Sequence, residues 1–448
     1  MKKFLKIIAA IILSLLIFLV SVLKYRQYQA NQLLIPKNAN VLIKISVDEI
    51  YKSVLMNMIK NPAYYFKQNK TGIKYPETNR FKHGLKIPAS IYFYTITNQS
   101  KTALFSRFVI KDFVAFEKFV KQTLKLDIKG KQKEAYFAQN KTGNLAICYN
   151  KKIVSITISG NQKNFQQILL NLLEDKNLQQ LNDHPFSAIG SMNDHISIIS
   201  TNNTTSVNFL AGKIEFSNMA VNSQFSPAKK PSHRSFKKES TVSFWLDASW
   251  KAQSPLNITH SNVVLNKDSL IKYYNGYLDF EWAGTTLQAD SVISYEYNDD
   301  FEKVAKTSIQ NKKVPDANLY IKTKGHQLYQ YLANQHAINQ IDTTLNKSFF
   351  PLYKIYATKN SQALILSSSK KNKNDSTFIN TDDFLGLNIN VLKMQREVEI
   401  PLFASYFKPL KHLEVRGKFI KPNKVNVTGT LEFVNRDINA IYQIIKVL

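Results

Sequence analysis

Apolar residues alternate, or recur at helical spacing, along most of this chain, and two pieces of the pattern occur twice. NANVLIKISVDEIY (Asn38–Tyr51) returns 278 positions later (316 − 38) as DANLYIKTKGHQLY (Asp316–Tyr329). In the first copy Val41, Ile43 and Ile45 read as a buried strand. Ser46-Val47-Asp48-Glu49 fits a capping box. Val47, Ile50, Tyr51, Val54, Leu55 and Met58 follow as the inward stripe of a helix. The second copy repeats this with Leu319 and Ile321 in the strand and Leu328, Tyr331 and Leu332 in the helix. Gly325 loosens that helix entry, and Pro36 and Pro315 stand where each unit would begin.

A second pair closes the two halves. Gly276–Phe301 and Gly417–Ile438 both alternate cleanly and end in Asn-x-Asp plus an apolar residue. Each reads as a β-hairpin with one dry face. A helix is expected after each, capped by Asp300 or Asp437. Between the pairs, 88–96 with 103–110 and 145–149 with 153–159 read as hairpins, followed by helices with Phe116 and Val120, or Leu169 and Leu172, inward. The expected fold class is α+β: an N-terminal transmembrane helix, then two related lobes of antiparallel sheet covered by amphipathic helices. The lobes span 36–312, with a middle insertion, and 315–448. Two Lys-rich stretches, 222–240 and 367–376, read as loops, the first of them mobile.

The N-terminus changes the picture. Ile7–Leu23 carries no charge, and Lys2, Lys3 and Lys6 precede it. The reading is a cytoplasmic tail over 1–6 and an anchor over 7–26. A cleaved signal peptide is the rival, but Lys24-Tyr25-Arg26 follows where a small-x-small site would be needed. The expected location is a bacterial inner membrane, single-pass, with the large domain extracytoplasmic (periplasmic).

The formal net charge is +28 over 448 residues. Only seven of the 60 basic residues are arginine, the side chain suited to bidentate phosphate contacts, and the lysines are spread throughout. No nucleic-acid partner is expected. The expected partners are a membrane through the N-terminal helix and an envelope protein or anionic lipid. Cys148 is the single cysteine, so an intramolecular disulfide and a Cys-based zinc site are excluded; its place in LAICY suits a buried strand position.

Catalytic signatures are missing. The closest glycines, Gly276 and Gly284, are too far apart for a phosphate-cradling loop. Lys70-Thr71-Gly72, Lys141-Thr142-Gly143, Ser235-x-x-Lys238, Ser367-x-x-Lys370 and Ser191-Met192-Asn193 are fragments of the penicillin-interacting serine enzymes' set, in the wrong order. Asp183-His184 and Asp194-His195 have no standard ligand spacing and read as turn and strand residues. Asp299-Asp300 and Asp382-Asp383 read as helix caps, and Tyr92, Phe93 and Tyr94 as sheet core. No catalytic, cofactor-binding or metal-binding residue is assigned, and no cofactor.

IPKNANVLIKI, VPDANLYIKT and the overall plan resemble uncharacterised families of single-pass bacterial envelope proteins with duplicated α+β lobes. Leu210–Phe225 resembles, more faintly, AsmA-like envelope proteins, which implies holding phospholipid along apolar strand faces. The functional expectation is a non-enzymatic, membrane-anchored protein that binds or scaffolds an envelope component. The alternatives are lipid binding or transfer, and a hydrolase without a readable motif.

Overall fold

A computed structural model describes residues 18, 21–66, 82–132, 134–161, 164–222, 225–251, 257–260, 263–297, 301–370, 377–398, 404–421 and 423–447. The chain divides into two compact units. One is Met1–Ala211 with Asp437–Tyr442, the other Gly212–Arg436 with Gln443–Leu448.

In the first unit, helix α1 (21–31) leads into β1 (Leu34–Pro36), which pairs with β9 (Leu178–Gln180). The main sheet is built from β2 (Ala39–Ile45), β3 (Ile91–Ile96), β4 (Leu104–Val109), β5 (Asp127–Gln132), β6 (Ala135–Gln139), β7 (Leu145–Tyr149), β8 (Ile153–Ile158), β10 (Ile196–Ser200) and β11 (Asn203–Leu210). Its order is β11–β10–β2–β3–β4–β8–β7–β6–β5, antiparallel throughout. Helices α2 (Val47–Lys60), α3 (Pro62–Phe66), α4 (Phe113–Lys118) and α5 (Gln166–Leu173) complete it. Asp112 caps α4 by accepting from Ala115 N at 3.0 Å. Helix α5 buries Leu169, Leu170, Leu172 and Leu173 against a core with Leu42, Tyr94, Phe105 and Phe165. Each such side chain contributes about 1.5–3 kcal/mol. Cys148 lies in this core, and burial pushes its thiol up to about 11.

The second unit contains β12 (Lys213–Val221), β13 (Phe225–Pro227), β14 (Ser232–Arg234), β15 (Val242–Trp250), β16 (Asn257–His260), β17 (Val263–Asn266), β18 (Tyr274–Tyr297) and β19 (Lys303–Thr323). The short β20 (Ile338–Asn339) and β21 (Thr344–Leu345) follow, then β22 (Tyr356–Lys359), β23 (Ala363–Ser367), β24 (Phe378–Asn380), β25 (Leu385–Asn390), β26 (Leu410–Lys421) and β27 (Lys424–Phe433). The sheet order is β12–β27–β26–β25–β15–β18–β19–β23–β22–β21–β20, again antiparallel. Helices α6 (Lys267–Tyr273), α7 (Gln327–Asn334), α8 (Val391–Glu397) and α9 (Ala404–Phe407) are short, as is α10 (Ala440–Ile445). Leu328 and Leu332 of α7 pack on Ala357 and Leu364.

Three expectations need correction. The first concerns fold class and membrane. The structure is mostly antiparallel β-sheet, and among the described residues no helix is long and apolar enough to cross a membrane. The transmembrane anchor over 7–26 is therefore not supported, nor is the single-pass inner-membrane, extracytoplasmic placement drawn from it. Most of the apolar run itself, 7–17 with 19 and 20, lies outside the described residues.

The second correction concerns the repeat. Gly276–Tyr297 is not a hairpin but part of one 24-residue strand, β18. A register shift at Trp282/Gly284 bends it, and Gly284 supplies the φ of +155° there. The strand then continues because β19 pairs with it as far as Tyr297–Lys303. Where a helix was expected over Phe301, Val304 and Ala305, Val304 and Ala305 open β19, and the expected lobe boundary at 312–315 falls inside that strand. Pro315 is tolerated because β19 bonds β23 only from Asn318 to Lys322, which leaves one side of Pro315 an edge.

The third concerns the 222–240 stretch. Its described part is pinned at Arg234. Arg234 is buried and forms a bidentate pair with Asp279, both bonds at 2.6 Å, while its ring-facing side lies 4.5 Å from the Tyr320 centroid. The second Lys-rich stretch ends at 371–376, outside the described residues.

Candidate functional site

The residues singled out in the sequence do not converge. His184 is buried in the turn before Pro185; its Nδ1 accepts from Phe186 N at 3.1 Å, and burial lowers its pKa. His195 is buried at the start of β10, its Nδ1 accepting from Phe209 N at 2.8 Å. Asp194 instead accepts from Asn208. Among the described residues no cluster of three or more His, Cys, Asp or Glu could hold a metal ion. Lys141-Thr142-Gly143 is a turn, with Gly143 at φ +69°. Ser235 and Lys238 are exposed, Ser191 Oγ donates to Ala188 O, and Ser367 Oγ accepts from Ser369 N. Lys70-Thr71-Gly72 and Asp299-Asp300 lie outside the described residues. Asp382 and Asp383 precede β25 and cap no helix; Asp383 sits 3.8 Å from Lys418 Nζ. Tyr92 and Tyr94 are core residues, their hydroxyls held protonated by burial.

A cleft of about 410 Å³ opens elsewhere in the first unit. That volume is ordinary for a small-ligand site. Its walls are largely apolar: Leu33, Leu34, Ile87, Pro88, Ile91 and Phe108. An adjoining hollow of about 240 Å³ shares Ile87, Pro88, Ile91 and Phe108 and adds Phe119. Three cations, Arg26, Lys86 and Arg107, line the cleft together with one carboxylate, Asp175.

Arg107 comes from β4, where it stands opposite Ser155 of β8. Its side chain is 7% exposed and one Nη bonds Asp175, yet its Nε is buried without a partner. A buried guanidinium with an unused donor is costly unless something occupies it. Arg26 on α1 is committed to Asp48 through a fork of 2.9 and 3.0 Å, which holds α1 as the cleft's wall. Asn31 ties down the other end of α1, accepting from Tyr92 OH at 2.7 Å and donating to Gly190 O at 3.3 Å.

The segment carrying Lys86 to Ile91 is held by Gly84. Its φ is +69°, and a Cβ there would lie 2.3 Å from Asp112 O, so only glycine fits. Asp112 N and Lys111 N both donate to Gly84 O, and Lys86 N donates to Val109 O.

Behind Tyr92 lies a buried lysine. Lys44 is 1% exposed, stands opposite Tyr92 and Ser197 in the sheet, and donates to Ile189 O, Gly190 O and Met192 O at 3.3, 2.9 and 2.7 Å. Burial lowers its pKa to about 8, against a smaller pull upward from Glu49 and Asp194. Lys44 is a structural clasp, since all three of its donors are engaged.

Sequence reasoning passed over Arg107 and Arg26. The available signal was an arginine inside the apolar run LFSRFV, in a chain that otherwise uses lysine. No family model matches the chain, and no characterised relative matches it either. Among solved structures, one titled "Structure of crystal form I of TP0453" aligns over 43% of this chain and 80% of that one, at 7% identity and a TM-score of 0.28. A likeness that low carries no argument about fold or function.

Proposed function

We propose that this is a non-enzymatic binding protein whose first unit takes a single-chain amphiphile with an anionic head, such as a fatty acid or a lysophospholipid. The observation that carries this reading is Arg107, a largely buried guanidinium that lines a largely apolar cleft and whose Nε has no partner. The head would accept from Arg107 and Lys86, and the chain would lie along Ile91, Phe108 and the adjoining hollow. Two of the three cations already have one carboxylate each, so the site favours a single added negative charge. The two buried histidines stand outside the cleft and accept backbone N–H groups, which leaves them no acid–base role there.

Titration calorimetry on the full chain tests this, with palmitate, lysophosphatidate and monopalmitoylglycerol as probes. Palmitate or lysophosphatidate should bind, the neutral ester at least about tenfold more weakly. Arg107→Leu should lose about tenfold or more in affinity for the anions and change little for the ester. Asp175→Asn, which frees the guanidinium, should tighten anion binding. No uptake of any probe, or equal affinity in Arg107→Leu, overturns the reading.

A further inference from the structure

Strands β18 and β19 outrun their sheet. Beyond Trp282 on one strand and Ala317 on the other, Gly284–Tyr297 and Lys303–Asp316 pair chiefly with each other. The result is a two-stranded ribbon about 45 Å long at ~3.3 Å per residue. Its two faces differ. On one, Gln288 is buried and bonds Lys354 O at 2.7 Å, and Val314 is buried, so the root of this face packs on the unit. The register puts Leu287, Ile293, Tyr295 and Ile309 together on the other face. All four are exposed, Ile293 at 59% and Ile309 at 77%. A free apolar face of this kind is an aggregation hazard unless it has a use.

The charges are sorted in the same way. Asp290 and Glu296, the carboxylates of the paired residues before the turn, lie on the face opposite the apolar one. The apolar face carries only lysines, Lys313 near its root and Lys303 near its tip, with Lys303 Nζ 4.6 Å from the Tyr295 ring centroid. An apolar strip with an amphipathic aromatic, cations at both ends and acids turned away matches the interface of an anionic bilayer. The net charge of +28 would draw the chain to such a surface. We infer that the β18–β19 ribbon docks by this face on anionic lipid bilayers. The inference stands apart from the cleft reading, since the ribbon belongs to the second unit.

Vesicle flotation of the full chain tests it, with phosphatidylcholine vesicles and with vesicles containing equal parts of phosphatidylglycerol. The wild type should float with the anionic vesicles, less so as salt is added. Ile293→Glu and Ile309→Glu should each weaken this about tenfold or more. Val304→Glu, on the opposite face, should leave it unchanged, as should Arg107→Leu, which separates this surface from the cleft. Thermal unfolding of each variant shows that the fold survives. Absence of flotation, or equal loss in Val304→Glu, overturns the inference. Concentration-dependent self-association that Ile293→Glu abolishes, without vesicle binding, would also overturn it and assign the face to a second copy.

Discussion

The chain writes nearly the same text at 38–51 and 316–329, and the two copies do different work. The first is a seven-residue strand in mid-sheet followed by the 14-residue α2. The second is the end of a 21-residue strand followed by the eight-residue α7. Their lysines correspond, yet Lys44 is buried under three carbonyls while Lys322 is half-buried near Asp247. Burial pushes the Asp247 carboxyl up; a bond from Ser232 N and the charge of Lys322 oppose that push. The helices differ more. In α7 Leu328 and Leu332 are buried. In α2 the buried residue is Asn57, while Tyr51, Leu55 and Ile59 are exposed. Asn57 donates to Asp437 O at 2.8 Å and accepts from Tyr65 OH and Asn439 N at 2.6 and 2.8 Å. Equal apolar spacing thus permits two orientations, and the neighbours decide which is used.

The largest effect that would sharpen this contrast comes from α7. Leu332→Ala should cost about 2–5 kcal/mol in denaturant unfolding. A loss below ~1 kcal/mol would mean that α7 is as lightly packed as the outer face of α2. Next is the lysine pair. The folded pKa of Lys44 is lowered to about 8 from 10.5, so between those values the unfolded chain binds the extra proton. Stability contributed at this position should therefore rise with pH across that window, by up to about 3 kcal/mol, and be flat below it. Lys44→Met should remove the rise, whereas Lys322→Met should leave it. A rise of equal size in Lys44→Met would contradict the burial argument.

Asn57→Ala should cost about 1–3 kcal/mol, because Asn439 N and Tyr65 OH lose their partner together and Asp437 O loses one of its two donors, keeping Asn61. Leu55→Ala, two residues earlier on the exposed side, should stay within about 0.5 kcal/mol. If Leu55→Ala proved the costlier of the two, the exposed stripe of α2 would have a partner within the fold.

Much of the local structure was legible. The β3–β4 and β7–β8 hairpins, α4 with Phe116 inward and α5 with its leucine stripe all follow from spacing. Spacing does not report partners. Ser46 was read as a capping hydroxyl, yet it makes no side-chain cap bond and its Oγ is buried without a partner. The alternation in Gly276–Phe301 was real, but a glycine inside it marked a bulge and not a turn. The β5–β6 hairpin was passed over because Asp127–Gln132 is mostly polar. The cleft was invisible for a different reason. Its walls come from α1, β1, the 86–91 segment, β4 and β8, which no local pattern joins. Rarity was the better guide: Arg26, Arg107 and Arg234 each grip a carboxylate, while the abundant lysines largely coat the surface.

The central claim is that the cleft around Arg107 holds one anionic amphiphile. Native mass spectrometry of the full chain incubated with palmitate tests it most directly, beside Arg107→Leu under the same conditions. The account predicts one bound palmitate on the wild type and none retained by the variant. Wild-type protein without adduct, or the same adduct on both, would contradict it.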